Sequence, residues 1–340
     1  MMGQPGKDSK EPYPDLRGAF MLTVLAIVAA GFTGVAFIDF GLLAAVGIGQ
    51  AIGVGAVATM GAQRVAEPQA ERLGLRALDL KMIPILLCLA PAVLLASEFD
   101  NIAADWSGTE DEIESQVETD GAQEFDLPDS DDGQSTEASE GSSSDGGGEG
   151  EAAAAASMRL FDPDDPWSLL SAFIVMVGIS PVVEEFLFRG VIQQGLVQRM
   201  GLLRGVTTVA ILWTLLRPAP IAGFSRFLAA AIASFGLGWA LGIVRIATGS
   251  ILGSILLAGS WAAIGLSAVA LEGKMALPGM NIEGTHLPWS VTLGSVCLVA
   301  WAGWTIYQEA ERRFHAFGTD DGEPPAPPAP PDPPTPPTAQ

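Results

Sequence analysis

Uncharged sequence returns again and again along this 340-residue chain in blocks of membrane-spanning length, and that recurrence constrains the fold more than any motif. A helix needs about 20 apolar residues to cross ~30 Å of hydrocarbon. The blocks are Gly18–Ile38, Phe40–Gly61, Met82–Ser97, Trp167–Val183, Gly205–Leu216, Phe227–Ile246, Ser250–Leu271 and Ser290–Tyr307. The first two read as a pair hinged at Asp39; the third is short and contains Pro84 and Pro91. Gly18–Ile38 is longer than the apolar region of a secretion signal, and no small-residue cleavage site follows it, so it reads as a retained helix. No uncharged stretch long enough for a soluble core is left outside the blocks. The expected fold is an all-α polytopic transmembrane helix bundle of about eight spans, with the lipid bilayer as its principal partner.

Charge sharpens that reading. The net charge is −22, from 39 acidic residues against 17 Lys and Arg, an odd companion to a mean hydropathy of +0.36. Position resolves the conflict: 22 of the acidic residues lie between Glu98 and Asp165, where Arg159 is the single basic residue. The remainder is almost neutral, so this is an apolar protein with one acidic insert, and it lacks the basic surface that nucleic-acid binding requires. The organisation expected is a segment 1–17, three spans over 18–97, the insert 98–165, core helices 166–271, a loop and last span over 272–307, and a Pro-rich tail 308–340. The insert is too rich in Asp, Glu, Ser and Gly to offset its ordering entropy and is expected to be largely disordered; the tail should populate polyproline II.

Basic residues set the orientation. With the N-terminus cytoplasmic, 13 of the 17 Lys and Arg fall inside and Arg159, Arg217, Arg226 and Lys274 outside. The expectation is a multi-pass protein of the cell membrane with both termini cytoplasmic and the insert extracytoplasmic. Glycines four apart (Gly49 and Gly53, Gly238 and Gly242, Gly249 and Gly253) read as helix-packing positions, since small residues let helices approach closely in lipid. Cys88 and Cys297 lie in apolar runs and exclude a disulfide scaffold or a cysteine-based zinc site.

One segment breaks the pattern: Ile179–Gln193, ISPVVEEFLFRGVIQ. Glu184 and Glu185 end an apolar span, and Arg189 follows Glu185 by four residues, the spacing of an ion pair on one helix face. Glu184 lies about 100° round the axis and faces elsewhere. Charge so close to a membrane core usually meets a polar cavity or a partner, and a buried carboxylate suits a general base. The alternative is an interfacial helix end whose charges sit among the headgroups.

EEFLFRG resembles the EExxxR signature of the CPBP intramembrane proteases, the group that includes CAAX prenyl protease 2 and the bacteriocin-immunity membrane proteins. Ala70–Leu87 is similar to that family's lead-in, and Gly238–Gly259 to its segment around TGS; the likeness covers about Glu71–Gly265. It implies an endopeptidase that hydrolyses a peptide bond within the membrane by a glutamate-activated water. Glu184 would be the base, with Glu185 and Arg189 holding the helix and local field, and histidines from two further motifs would orient the water or a metal and stabilise the oxyanion.

Both histidine motifs depart from the family pattern. Where FxxxH is expected the chain reads Trp213-Thr-Leu-Leu-Arg217, and where the last histidine is expected it has Ala258, followed by Ser260 and Trp261. The only histidines, His286 and His315, lie outside the spans. Zinc, possible in the family, needs three or four ligands that are missing here, so no metal and no cofactor is expected. Arg217 or the Trp261 indole could donate a hydrogen bond, but arginine cannot serve as a base, and an Arg217–Glu184 ion pair would lock the glutamate. A span ending at Val183 sets that pair at odds with the topology, since it leaves Glu184 near the inner side and Arg217 near the outer. The expectation is a catalytically impaired homologue with a degenerate site of Glu184, Glu185, Arg189, Trp213, Arg217 and Trp261. The alternative is a non-catalytic scaffold that keeps the protease fold to bind a membrane-embedded protein or peptide.

Overall fold

The first helix starts where Asp15 accepts a hydrogen bond from the Gly18 N–H at 2.8 Å, satisfying one of the orphan donors of a helix N-terminus. From there the computed structural model, which describes residues 12–106, 160–217, 224–282 and 284–318, is mostly helical, with turns and coil between the helices and no strand among the described residues. Its long apolar helices are α1 (Leu16–Ala36), α2 (Leu42–Ala62), α3 (Leu80–Trp106), α4 (Pro166–Met200), α5 (Leu202–Leu216), α6 (Phe224–Thr248), α7 (Ile251–Ala270) and α8 (Trp289–Ala316). Seven are long and apolar enough to cross a membrane; α5 is apolar but has only 15 residues. At 1.5 Å per residue that is about 22 Å, short of the hydrocarbon thickness.

Two helices differ from the apolar blocks in ways that matter. α3, interrupted around Pro91, continues to Trp106 instead of stopping at Ser97. Its acidic end is held: Glu98 accepts from the Leu287 N–H and faces His286, and Asp100 pairs with Arg226 at 2.9 Å. α4 does not end at the glutamates; it runs on to Met200, with every residue from Leu187 to Gln193 buried. A helix buried on all sides is the centre of a bundle. Glu184 is therefore mid-helix, roughly 24 Å from the Met200 end. The expectations of disorder for the insert and polyproline II for the tail fall on residues 107–159 and 319–340, outside the described part.

Cross-links between helix ends define two faces of the bundle. One gathers Arg199, whose Nε donates to Pro12 O at 2.8 Å, with Arg72, Gln198, Thr248 and Arg313. The other gathers Ser97 and Asn101, which donate to Gly279 O, with Lys274 bonded to Pro163 O. Gly49 and Gly53 lie so close to Ala30 of α1 that a Cβ at either would overlap its backbone. Gly249 has a different role from the other paired glycines: with φ +67 it forms the left-handed turn between α6 and α7.

Candidate functional site

Pro181 supplies no N–H to the α4 ladder, which leaves Val177 O unbonded to it. Π-helical turns flank this point, over Phe173–Ile179 and Phe186–Ile192, and such turns concentrate at functional sites. Gly259 of α7 lies opposite: a Cβ there would be 3.1 Å from Val177 O, so glycine lets α7 approach the backbone of α4. Between the two π segments stand the glutamates.

Two rows of side chains four residues apart leave this part of α4. In the first, Ser180 Oγ donates to Glu184 Oε1 at 2.8 Å. Glu184 Oε2 receives two further donors from α5: the Trp213 indole Nε1–H at 3.2 Å and Arg217 Nη2 at 2.8 Å. Arg217 also lies over the Trp213 ring, its guanidinium carbon 4.2 Å from the centroid, a cation–π contact. The Glu184 side chain is 5% exposed and that of Arg217 41%.

The second row faces α6 and α7. Arg189 Nη1 donates to Glu185 Oε1 at 2.9 Å and Nη2 to Gly238 O at 2.8 Å; Gln193 Nε2 donates to Gly242 O at 2.7 Å. All three side chains are buried. Ser254 of α7 is beside Glu185, although its hydroxyl bonds to Ile251 O. Gly238 and Gly242 permit the approach of α5 as well: a Cβ at 238 would lie 2.8 Å from the Trp213 ring, and one at 242 would lie 2.7 Å from Val206. Helix packing was the expectation for this pair, and their carbonyls also anchor the polar row.

The remaining candidates lie elsewhere in the bonding scheme. The Trp261 indole N–H donates to Leu89 O at 3.1 Å, on the broken part of α3, and not to Glu184. Ala258 packs half-buried against the apolar core. His286 sits between Glu98 and Asp105, its ring nitrogens 2.9 and 2.8 Å from their carboxylates, and those bonds raise its pKa, with Asp105 the larger cause. His315 meets the Phe314 ring edge-on. Ser180 and Gln193 were not singled out from sequence, and Trp213 was singled out only as the aromatic of its motif, not as a donor; Ser180–Glu184 and Arg189–Gln193 repeat the four-residue spacing that exposed Glu185–Arg189.

A zinc ion does not fit these residues. The side chains about Glu184 supply two carboxylates, one bonded to Arg189 and the other to Arg217, and the two guanidinium groups repel a cation. Among the described residues no group of three or more His, Cys, Asp or Glu side chains could hold a metal.

Compared with known families, residues 166–264 match that described as type II CAAX prenyl endopeptidase Rce1-like. The match begins at the first residue of α4, ends within α7, and takes in both polar rows, Trp213 and Arg217. No curated protein and no solved structure matches the chain.

Proposed function

With a CPBP core in helices α4–α7 as premise, we propose that this integral membrane protein is a catalytically impaired homologue of the CAAX-type intramembrane endopeptidases. One observation carries the reading: Arg217 occupies Glu184 at 2.8 Å, at the position where the family pattern has a histidine. A general base must take a proton from water in the transition state. Taking it up would cost Glu184 its ion pair, and three donors already occupy its oxygens. The oxyanion side is equally depleted, since Trp261 is engaged with Leu89 and alanine stands at 258. Loss of a single oxyanion donor typically costs about 10²–10³ in rate.

The alternative is a non-catalytic scaffold for a membrane-embedded protein or peptide. It is supported by the buried Glu185–Arg189–Gln193 row, whose Glu185–Arg189 pair and bonds to Gly238 O and Gly242 O tie α4 to α6 without requiring turnover. Orientation belongs to this proposal as well. Arg17, Arg64, Arg72, Arg76, Arg199, Arg204, Arg312 and Arg313 lie towards the face that holds both described chain ends, the acidic residues of α3 towards the other. Both termini are then cytoplasmic and the insert is outside.

The test is cleavage. Purified protein in liposomes is incubated with a membrane-embedded prenylated CAAX peptide and with a transmembrane peptide lacking the prenyl group. The expected product release is no greater than that of Glu184→Gln. Release that depends on Glu184 would overturn impairment.

A further inference from the structure

A second polar centre lies at the α6–α7 turn and takes no part in the glutamate site. Arg245, in the last turn of α6, is 7% exposed. Its Nη2 donates to Arg72 O at 3.1 Å, its Nε is buried with no hydrogen-bond partner, and among the described residues no Asp or Glu pairs with it. Buried guanidinium groups are normally paired with an anion. The C-terminal dipole of α6 and one carbonyl offset part of the charge, but neither is a counter-ion.

The surroundings add positive charge. Arg76 lies close enough to repel Arg245. Arg313 Nη1 donates to Thr248 O at 3.1 Å, on the far side of the same turn. The two acids nearby are taken, Glu71 by Arg76 and Glu309 by Arg312 and Arg313. The cradle itself is built: Gly74, at φ +73, lies under the guanidinium, where any Cβ would overlap it, and Gly74 O accepts from the Ile251 N–H at 3.0 Å. Ser250 fixes the other wall by donating to Arg76 O at 2.6 Å.

We infer that Arg245, with Arg76 and Arg313, forms a binding site for a phosphate group at the membrane-interface end of the bundle. A lipid headgroup phosphate and a free phosphate share that chemistry. Basic pockets between transmembrane helices are known to hold anionic headgroups, and a guanidinium edge matches phosphate oxygens in pairs.

The full chain in neutral detergent is titrated with dioctanoyl phosphatidylglycerol, with dioctanoylglycerol, which lacks the phosphate, and with inorganic phosphate, and thermal unfolding is read. The phosphatidylglycerol should stabilise the protein and dioctanoylglycerol should not. Inorganic phosphate acting at the same concentration assigns the site to free phosphate, and a weaker effect assigns it to the lipid; both support the site. Arg245→Gln should weaken the apparent affinity about tenfold or more, as loss of a charge-assisted bond does. Arg204→Gln, an exposed charge at the same face, should weaken it about fivefold or less, the share of general surface attraction. Should Arg245→Gln fail to fold, the double variant Arg76→Gln/Arg313→Gln must show the tenfold loss instead. Equal effects of Arg245→Gln and Arg204→Gln, an unchanged double variant, or stabilisation by dioctanoylglycerol would overturn the assignment.

Discussion

The Glu184–Arg217 pair makes an unequal prediction for its two halves. At an effective dielectric constant near 20, unit charges 4 Å apart attract by about 4 kcal/mol. The 41% exposure of Arg217 discounts that towards the ~1 kcal/mol ceiling of exposed pairs, so a coupling of about 2 kcal/mol is expected. Arg217→Gln leaves a buried carboxylate with only Ser180 and Trp213 as donors, and should cost about 3 kcal/mol. Glu184→Gln leaves a cation able to turn towards solvent, and its amide oxygen can still accept from Trp213; about 1–1.5 kcal/mol is expected. The double variant should then lose about 2–2.5 kcal/mol, less than the sum of the two and no more than Arg217→Gln alone. Reversible unfolding of the four proteins in mixed micelles measures the cycle. Additivity within ~0.5 kcal/mol, or a greater cost for Glu184→Gln than for Arg217→Gln, would refute the reasoning.

Other expectations follow from single contacts. Gly238→Ala drives a methyl group into the Trp213 ring and should destabilise by about 1–3 kcal/mol, seen as a lower midpoint in the same unfolding assay. Arg189→Gln strands buried Glu185 and should cost about 3–5 kcal/mol, whereas Arg204→Gln, on the surface, should change stability by less than ~0.5 kcal/mol. His286 can donate to both Glu98 and Asp105 only as the imidazolium, and its folded pKa is raised. The contribution is complete below the ordinary histidine pKa of about 6.5 and is lost as pH rises through the raised folded value. Amide protection at residues 284–287, corrected for the intrinsic base-catalysed rise in exchange rate, should accordingly fall as pH rises above about 6.5, and a His286→Gln variant should show no such step.

How much of this was legible in the sequence depends on what each residue's partner is. The helices follow from apolar length alone, since a backbone in lipid has few other ways to satisfy its polar groups. The Glu185–Arg189 pair was legible because both partners lie on one helix, at a spacing fixed by 3.6 residues per turn. The partner of Trp261 was not legible because an indole N–H bonds whichever carbonyl the fold presents. The break at Pro91 offers it Leu89 O, which no local pattern announces. Charge was the misleading signal for α4. Two glutamates seemed to end a span, but hydropathy counts a carboxylate as exposed whether or not a neighbouring helix brings it a donor.

The same correction explains why Glu184 and Arg217 meet at all. α4 and α5 form a hairpin about Gly201, which has φ +82. In an antiparallel pair, residues equally far from the turn lie at equal height. Val197 and Gly205, four residues either side of Gly201, are in backbone contact. Arg189 and Trp213, twelve either side, make a cation–π contact at 5.1 Å. Glu184 and Arg217, seventeen before and sixteen after, are the next rung and form the ion pair. α5 ends at that height: Arg217 is its C-cap residue, with its N–H bonded to Thr214 O. The hairpin register therefore delivers a guanidinium to Glu184. The same turn that packs Gly205 on Val197 thus sets which side chain of α5 reaches the carboxylate.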